Sequence, residues 1–225
     1  LKEFVIYVND DDTTNPVVST AHIQSGSSHT SGDGYSTSGG ITAGTSSVYV
    51  DYNSITEANP DCTGFLLTVT GGSGGGTWQY NTNDITNPAP KQFSSLTLHG
   101  ATKLTCTVGH KDTSDNYGSS TSSEYYVKPY QPQAPTVSQI PGDYDSLSIN
   151  INPHASESSS VQYAVWCTTT SSWVQSGNNL GATPVWRTDA VWGTTTLTGL
   201  SPGDTYSFQV RSRNTYNNAV YSNYS

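Results

Sequence analysis

Leu147, Ile149 and Ile151 alternate with Ser148 and Asn150 in one short run, and Tyr206, Phe208 and Val210 alternate with Ser207, Gln209 and Arg211 in another. Successive side chains on an extended strand point to opposite faces. A period of two therefore sets one apolar row against a core and one polar row in water. No segment carries the period of a helix over a helix's length. Strand-like runs recur instead at Phe4–Val8, Ser47–Tyr52, Thr63–Thr70, Leu96–Leu98, Lys103–Val108, Glu124–Lys128, Ser146–Ile151, Val161–Cys167, Thr194–Thr198 and Thr205–Arg211, separated by Gly, Asn, Asp, Ser and Pro. Parallel α/β architecture is excluded and an all-β fold is expected.

The run Lys128-Pro-Tyr-Gln-Pro-Gln-Ala-Pro135 makes a stiff, extended connector, because proline fixes the backbone and cannot donate to a central ladder. With 225 residues, the chain is long enough for two sandwiches of about 100 residues each. The expected organisation is an N-terminal strand and acidic linker over 1–16, an immunoglobulin-like sandwich over 17–127, a Pro-rich linker over 128–135 and a second sandwich over 136–225. Gly71-Gly-Ser-Gly-Gly-Gly76 is expected as a hairpin loop; neither a Lys nor a helix follows it, so a phosphate cradle is excluded.

Only 32% of the chain is hydrophobic and 11% charged, yet it carries 15 Tyr and 5 Trp, which a disordered acidic chain rarely does. Eight basic residues stand against 17 acidic ones, a net charge of −9. Nucleic acid needs a basic groove, and anionic membrane surfaces need a basic face, so both partners are excluded. No apolar run is long enough to span a bilayer and no signal peptide is evident. The chain begins at Leu1 without Met, as expected of a processed or excised piece. An acidic, Ser- and Thr-rich surface suits a secreted or cell-surface protein.

The stretch from Ala134 onward resembles the fibronectin type III domains of bacterial surface proteins. It opens with Gln-Ala-Pro-Thr-Val and continues with Leu147-Ser-Ile-Asn-Ile-Asn-Pro153, with Ile151 where the family usually places Trp. Its most specific match is Leu197-Thr-Gly-Leu-Ser-Pro-Gly-Asp-Thr-Tyr206, whose Leu200, Pro202 and Tyr206 fit the family's tyrosine corner. The phrase Val185-Trp-Arg-Thr…Val191-Trp-Gly-Thr also looks like bacterial relatives. The resemblance covers roughly 40% of the chain and implies a non-catalytic β-sandwich. The first domain looks like a generic bacterial immunoglobulin-like module, introduced by Asp-Asp-Asp-Thr and Pro16.

Cys62 and Cys106 are candidates for an intradomain disulfide, or else two small buried hydrophobes. Cys167 is expected as a buried thiol. The two ends of the chain pair on paper. Val220-Tyr-Ser-Asn-Tyr-Ser225 lacks the apolar part of a final fibronectin-like strand, which would leave a groove and an open edge. Leu1-Lys-Glu-Phe-Val-Ile-Tyr-Val8 is an apolar strand with no hairpin partner nearby. Phe4, Val5, Ile6, Tyr7 and Val8 are therefore candidates for a polymerisation strand that completes a neighbouring unit, so that copies of the chain join head to tail. A tandem array cut inside a strand, a flexible tail, and a strand belonging to the first domain are the alternatives.

The five histidines, His22, His29, His99, His110 and His154, lack metal-ligand spacing and are expected at the surface or half-buried. No Gly-x-Ser-x-Gly elbow occurs, and catalysis is not expected. Asp10, Asp11, Asp12, Asp112 and Asp115 are candidate calcium ligands; the competing reading is solvated turns. No other cofactor is implied. Trp173, Trp186 and Trp192 are candidates for stacking on glycans, provided at least two indoles are coplanar and exposed; otherwise they pack the sandwich. The expected role is a structural subunit or repeat unit of an extracellular filament, stalk or adhesin. The alternative is a carbohydrate- or surface-binding module.

Overall fold

The computed structural model describes residues 20–28, 34–53, 61–79, 90–111, 117–119 and 122–225. In the first domain, β1 (Ala21–Gln24), β3 (Val48–Tyr52) and β6 (Lys91–Phe93) form one sheet in the order β1-β3-β6. The facing sheet is built from β2 (Ser38–Thr42), β4 (Asp61–Thr70), β5 (Gly76–Gln79), β7 (Lys103–Lys111), β8 (Tyr117–Ser119) and β9 (Ser123–Lys128). Its order is β2-β9-β7-β4-β5, with β8 also on β7. β2 runs parallel to β9 and the other pairs are antiparallel.

Alternation explains how the two sheets meet. Leu104, Cys106 and Val108 of β7 are wholly buried while Lys103, Thr105 and Thr107 between them are half-exposed. They pack with Phe65 and Leu67 against Ile23, Val48, Val50 and Tyr52 of the other sheet. The buried Tyr125 hydroxyl accepts the Ile23 amide at 3.1 Å, tying the layers together by a polar contact as well.

The second domain comprises β10 (Gln133–Gln139), β11 (Leu147–Asn152), β12 (Gln162–Cys167), β13 (Ser172–Val174), β14 (Leu180–Gly181), β15 (Arg187–Thr188), α1 (Asp189–Trp192), β16 (Thr194–Leu197) and β17 (Phe208–Arg213). One sheet has the order β10-β11-β16. In the other, β17 lies along one edge of β12 while β13 and β15 share its opposite edge, with β14 outside β13. Ile149, Ile151, Tyr163, Val165, Leu197 and Val210 fill the space between.

Several expectations are corrected. Leu96–Leu98 forms no strand: both leucines are buried, but only Thr97 makes an isolated bridge, to Ser73. Alternation there reported burial, not pairing. The run begun at Thr205 becomes a strand only at Phe208 and continues to Arg213. β10 begins inside the Pro-rich connector, at Gln133, and its register on β11 shifts between Gln133 and Thr136. Pro135 sits at that shift, where a residue without an amide proton costs no ladder bond. The one-turn α1 supplies Trp192, whose Nε1 donates to the Tyr163 carbonyl at 2.9 Å in the same cluster as Ile151. An indole therefore does occupy this core, delivered from a different segment.

The Cys62–Cys106 bridge is also corrected. The register sets Cys62 opposite His110 and Leu67 opposite Cys106. Four residues of ladder, about 13 Å, then separate the two cysteines, against the roughly 7 Å a disulfide can span. Cys106 Sγ instead points at the Ser123 carbonyl, 4.0 Å away. His22 and His110 are both wholly buried rather than at the surface. His22 lies 3.6 Å from the equally buried Asp51, its cross-strand partner. His110 meets the edge of Tyr52 at 5.4 Å between ring centroids.

Candidate functional site: the interdomain joint and the ladder beside it

The two domains meet pole to pole. The turn before β7, residues 99–102, faces the loop between β11 and β12 and the turn after β17. Gly100 is placed there by necessity, since a Cβ on it would lie 2.6 Å from a side-chain carbon of Pro129. Its bare amide donates to Glu157 Oε1 at 2.7 Å. The other oxygen of Glu157 accepts the Tyr130 amide of the connector at 2.9 Å, and Oε1 also accepts the Ser158 amide at 3.0 Å. One carboxylate thus ties the first domain, the connector and its own loop. Charged acceptors make stronger hydrogen bonds than neutral ones.

Asn214, wholly buried, is the second tie. Its Nδ2 donates to the Thr102 and Val127 carbonyls of the first domain at 3.0 and 2.9 Å. Its Oδ1 accepts the Tyr216 and Asn217 amides at 2.7 and 3.0 Å, which sets the turn after β17. Both donors and both acceptor lone pairs of this amide are spent. Ala101 of the first domain is buried in the second domain's apolar cluster. The connector is pinned too: Ser212 Oγ donates to the Tyr130 carbonyl at 2.9 Å, and the Tyr130 ring stacks on His154 at 4.1 Å.

Alongside the joint, residues 220–225 run antiparallel to β17, and the expected empty groove is corrected accordingly. Ser222 and Ser225 each pair twice with that strand. Their amides donate to the Ser212 and Val210 carbonyls, and their hydroxyls accept the Ser212 and Val210 amides, all at 2.9 Å. Serine oxygens thus stand where strand carbonyls would. This edge is paired down to Val210. Phe208, the next position in the series, has no partner on it among the described residues.

The spacing Tyr221, Tyr224 then meets the spacing Arg211, Arg213. The Arg211 guanidinium lies 4.0 Å from the Tyr221 ring and 4.9 Å from the Tyr224 ring. Arg213 sits 4.7 Å from Trp186, which stacks on Tyr221 at 5.5 Å. Trp173 lies 6.5 Å from Tyr224 and meets Trp166 edge-on at 4.8 Å. Alternating cations and rings attract through the ring quadrupoles.

This ladder decides the aromatic candidates. Trp192 is buried in the core, with Arg187 5.3 Å from its ring. Trp173 and Trp186 are half-buried, and their neighbours are Trp166, Tyr224, Arg213 and Tyr221. They do not form a coplanar, exposed sugar platform. At the corner, the Ser201 amide donates to the Tyr206 hydroxyl at 3.0 Å, with Leu200 buried and Pro202 in the intervening turn. Phe4–Val8 and Asp10, Asp11, Asp12, Asp112 and Asp115 lie outside the described residues. Neither Glu157 nor Asn214 was singled out by sequence reasoning. The repeated Tyr-Ser of 221–225 beside Arg-Ser-Arg was the available sign of the ladder.

No protein-family model matches the chain, and no curated protein matches it. Solved structures similar to it include a two-domain fibronectin type III segment of chicken tenascin, at 16% identity over 82% of this chain and 91% of that one, with a TM-score of 0.47. The FN1-FN3 domains of chicken CNTN1 are similar at 15% identity over 90% of this chain and 64% of that one, with a TM-score of 0.29. By its own sheets, the chain is an all-β pair of tandem sandwiches, the second with a fibronectin type III-like division of strands.

Proposed function

We propose that the chain is a non-catalytic, load-bearing segment of an extracellular filament, stalk or adhesin, in which two sandwiches are held in one fixed orientation. The observation that carries this reading is the joint. Flexibly tethered domains share a small, wet contact. Here a buried asparagine, a carboxylate and a pinned connector bind both poles. Fixed orientation is what an extended surface structure requires of each unit and what an enzyme or a solitary binding domain does not.

In its finer form, the reading joins copies head to tail. A strand added beyond Ser225 would meet Phe208 on the open part of the β17 edge, and Phe4–Val8 of a neighbouring unit has the apolar sequence to supply it. Calcium at Asp10–Asp12 would stiffen such a junction. Electron cryomicroscopy of the native surface material tests both parts. The expected image is a linear array with the same angle at every interdomain joint, and with strand density along β17 beyond Val210. Dispersed monomers with a broad spread of interdomain angles would overturn the reading.

A further inference from the structure

We propose that the cleft beside the joint binds the oxyanion of an acidic extracellular polysaccharide, a uronate carboxylate or a sulfate ester. The cleft, about 360 Å³, lies between β2, the end of β9 and the segment 219–223. Lys128 and Arg211 line it, together with Ser38, Tyr221, Ser222 and Asn223.

The surroundings of Arg211 suit an anionic ligand. In a chain of net charge −9 with 17 carboxylates, it has no hydrogen-bond or ion-pair acceptor among the described residues. Its Nε is buried without one. Lys103, by contrast, is spent on Glu124 at 2.6 Å, and Arg213 donates twice to Gln162 Oε1, at 2.8 and 2.5 Å. Arg211 is nevertheless held in place by Tyr221 and Tyr224. A guanidinium fixed by stacking keeps its planar fork of donors for a carboxylate or sulfate. Lys128 adds a second cation, steadied by the neutral Asn223 amide at 3.1 Å and so without a competing negative charge.

The rest of the lining selects the carrier. The exposed Ser38 hydroxyl and the Asn223 Nδ2, whose Oδ1 alone is taken by Lys128, suit the hydroxyls of a sugar, and Gly39 and Ala219 leave room for a ring. An apolar side chain would find little to bury there. The site is distinct from Trp173, Trp186 and Trp192 as a sugar platform and stands whether or not the chain forms a filament.

The test is an amide NMR titration of the intact chain at low salt with four probes: an oligogalacturonate, a heparin-derived oligosaccharide, a neutral cello-oligosaccharide and poly-glutamate. The expected result is movement of the Ser38, Gly39, Ser222 and Asn223 amides with one or both acidic sugars and not with the neutral one. Response to the uronate alone, or to the sulfated sugar alone, identifies the oxyanion. Arg211→Gln should weaken binding tenfold or more. Lys128→Gln, which leaves the ladder intact, should weaken it severalfold, and Lys103→Gln should leave it unchanged. No response to either acidic sugar, equal binding after Arg211→Gln and Lys128→Gln, or tighter binding of poly-glutamate would each overturn the proposal.

Discussion

Glu157 of the second domain accepts the amide proton of Gly100 of the first at 2.7 Å, across 57 residues of sequence. The same carboxylate accepts the Tyr130 amide, so the loop, the connector and the opposing pole share one acceptor. Glu157→Ala removes both bonds and leaves two amides at a partly buried contact. Hydrogen bonds to charged groups contribute about 1.5–3 kcal/mol each, so a loss of roughly 3–6 kcal/mol is expected for the two together. Calorimetry reads it: one melting transition in the parent should divide into two in the variant.

Asn214 offers a sharper comparison. In Asn214→Ala the Thr102 and Val127 carbonyls lose their donor. In Asn214→Asp the donor becomes an oxygen aimed at those same two carbonyls. The aspartate should therefore be the worse substitution at pH 7 despite its closer shape, with costs of about 2 kcal/mol for Ala and 3 or more for Asp. Urea denaturation of the two variants ranks them. Equal stabilities would place these bonds outside the energetics of the joint.

His110 makes stability depend on pH. Burial lowers its pKa from 6.5 to about 4, so the folded chain keeps it neutral where the unfolded chain protonates it. Between those values the unfolded state binds more protons, so this contribution is present above pH 6.5 and is lost as pH falls toward 4. The change is about 2–3 kcal/mol. Melting temperatures measured from pH 7 to pH 4 should fall more steeply in the parent than in His110→Phe, which keeps a ring against Tyr52.

Trp192 anchors α1 in the second core. Trp192→Phe loses its Nε1 bond to the Tyr163 carbonyl and part of its volume. A cost of about 2–3 kcal/mol is expected, measurable by chemical denaturation. Val191, one residue earlier and 62% exposed, should tolerate Ala with a change under about 0.5 kcal/mol.

Alternation made the long strands legible. β4, β7, β9 and β11 lie close to the runs read from sequence, because each has one face on a core and one in water, while β12, buried on successive residues, was legible as a short apolar run. β1 escaped because all four of its residues are buried, leaving no contrast to read. β2, with Ser-Gly-Gly-Ile-Thr, escaped because its place is set by parallel pairing to β9 and not by its own pattern. The joint was illegible for a related reason. Glu157 sits in a Ser-rich loop and Asn214 in an Asn-rich turn, and only the approach of the other domain gives either a role. In the same way, the register of β4 on β7, which sets Cys62 four residues of ladder from Cys106, is fixed by pairing between strands distant in sequence, and no local signal marks it.

The most direct test of a fixed joint is the measurement of residual dipolar couplings for backbone amides of the intact chain in a dilute aligning medium. A joint held by Glu157 and Asn214 should give one alignment tensor fitting both domains, and Glu157→Ala combined with Asn214→Ala should separate it into two of different magnitude. Different tensors in the unmodified chain would mean that the domains move independently, which contradicts a load-bearing segment of fixed orientation.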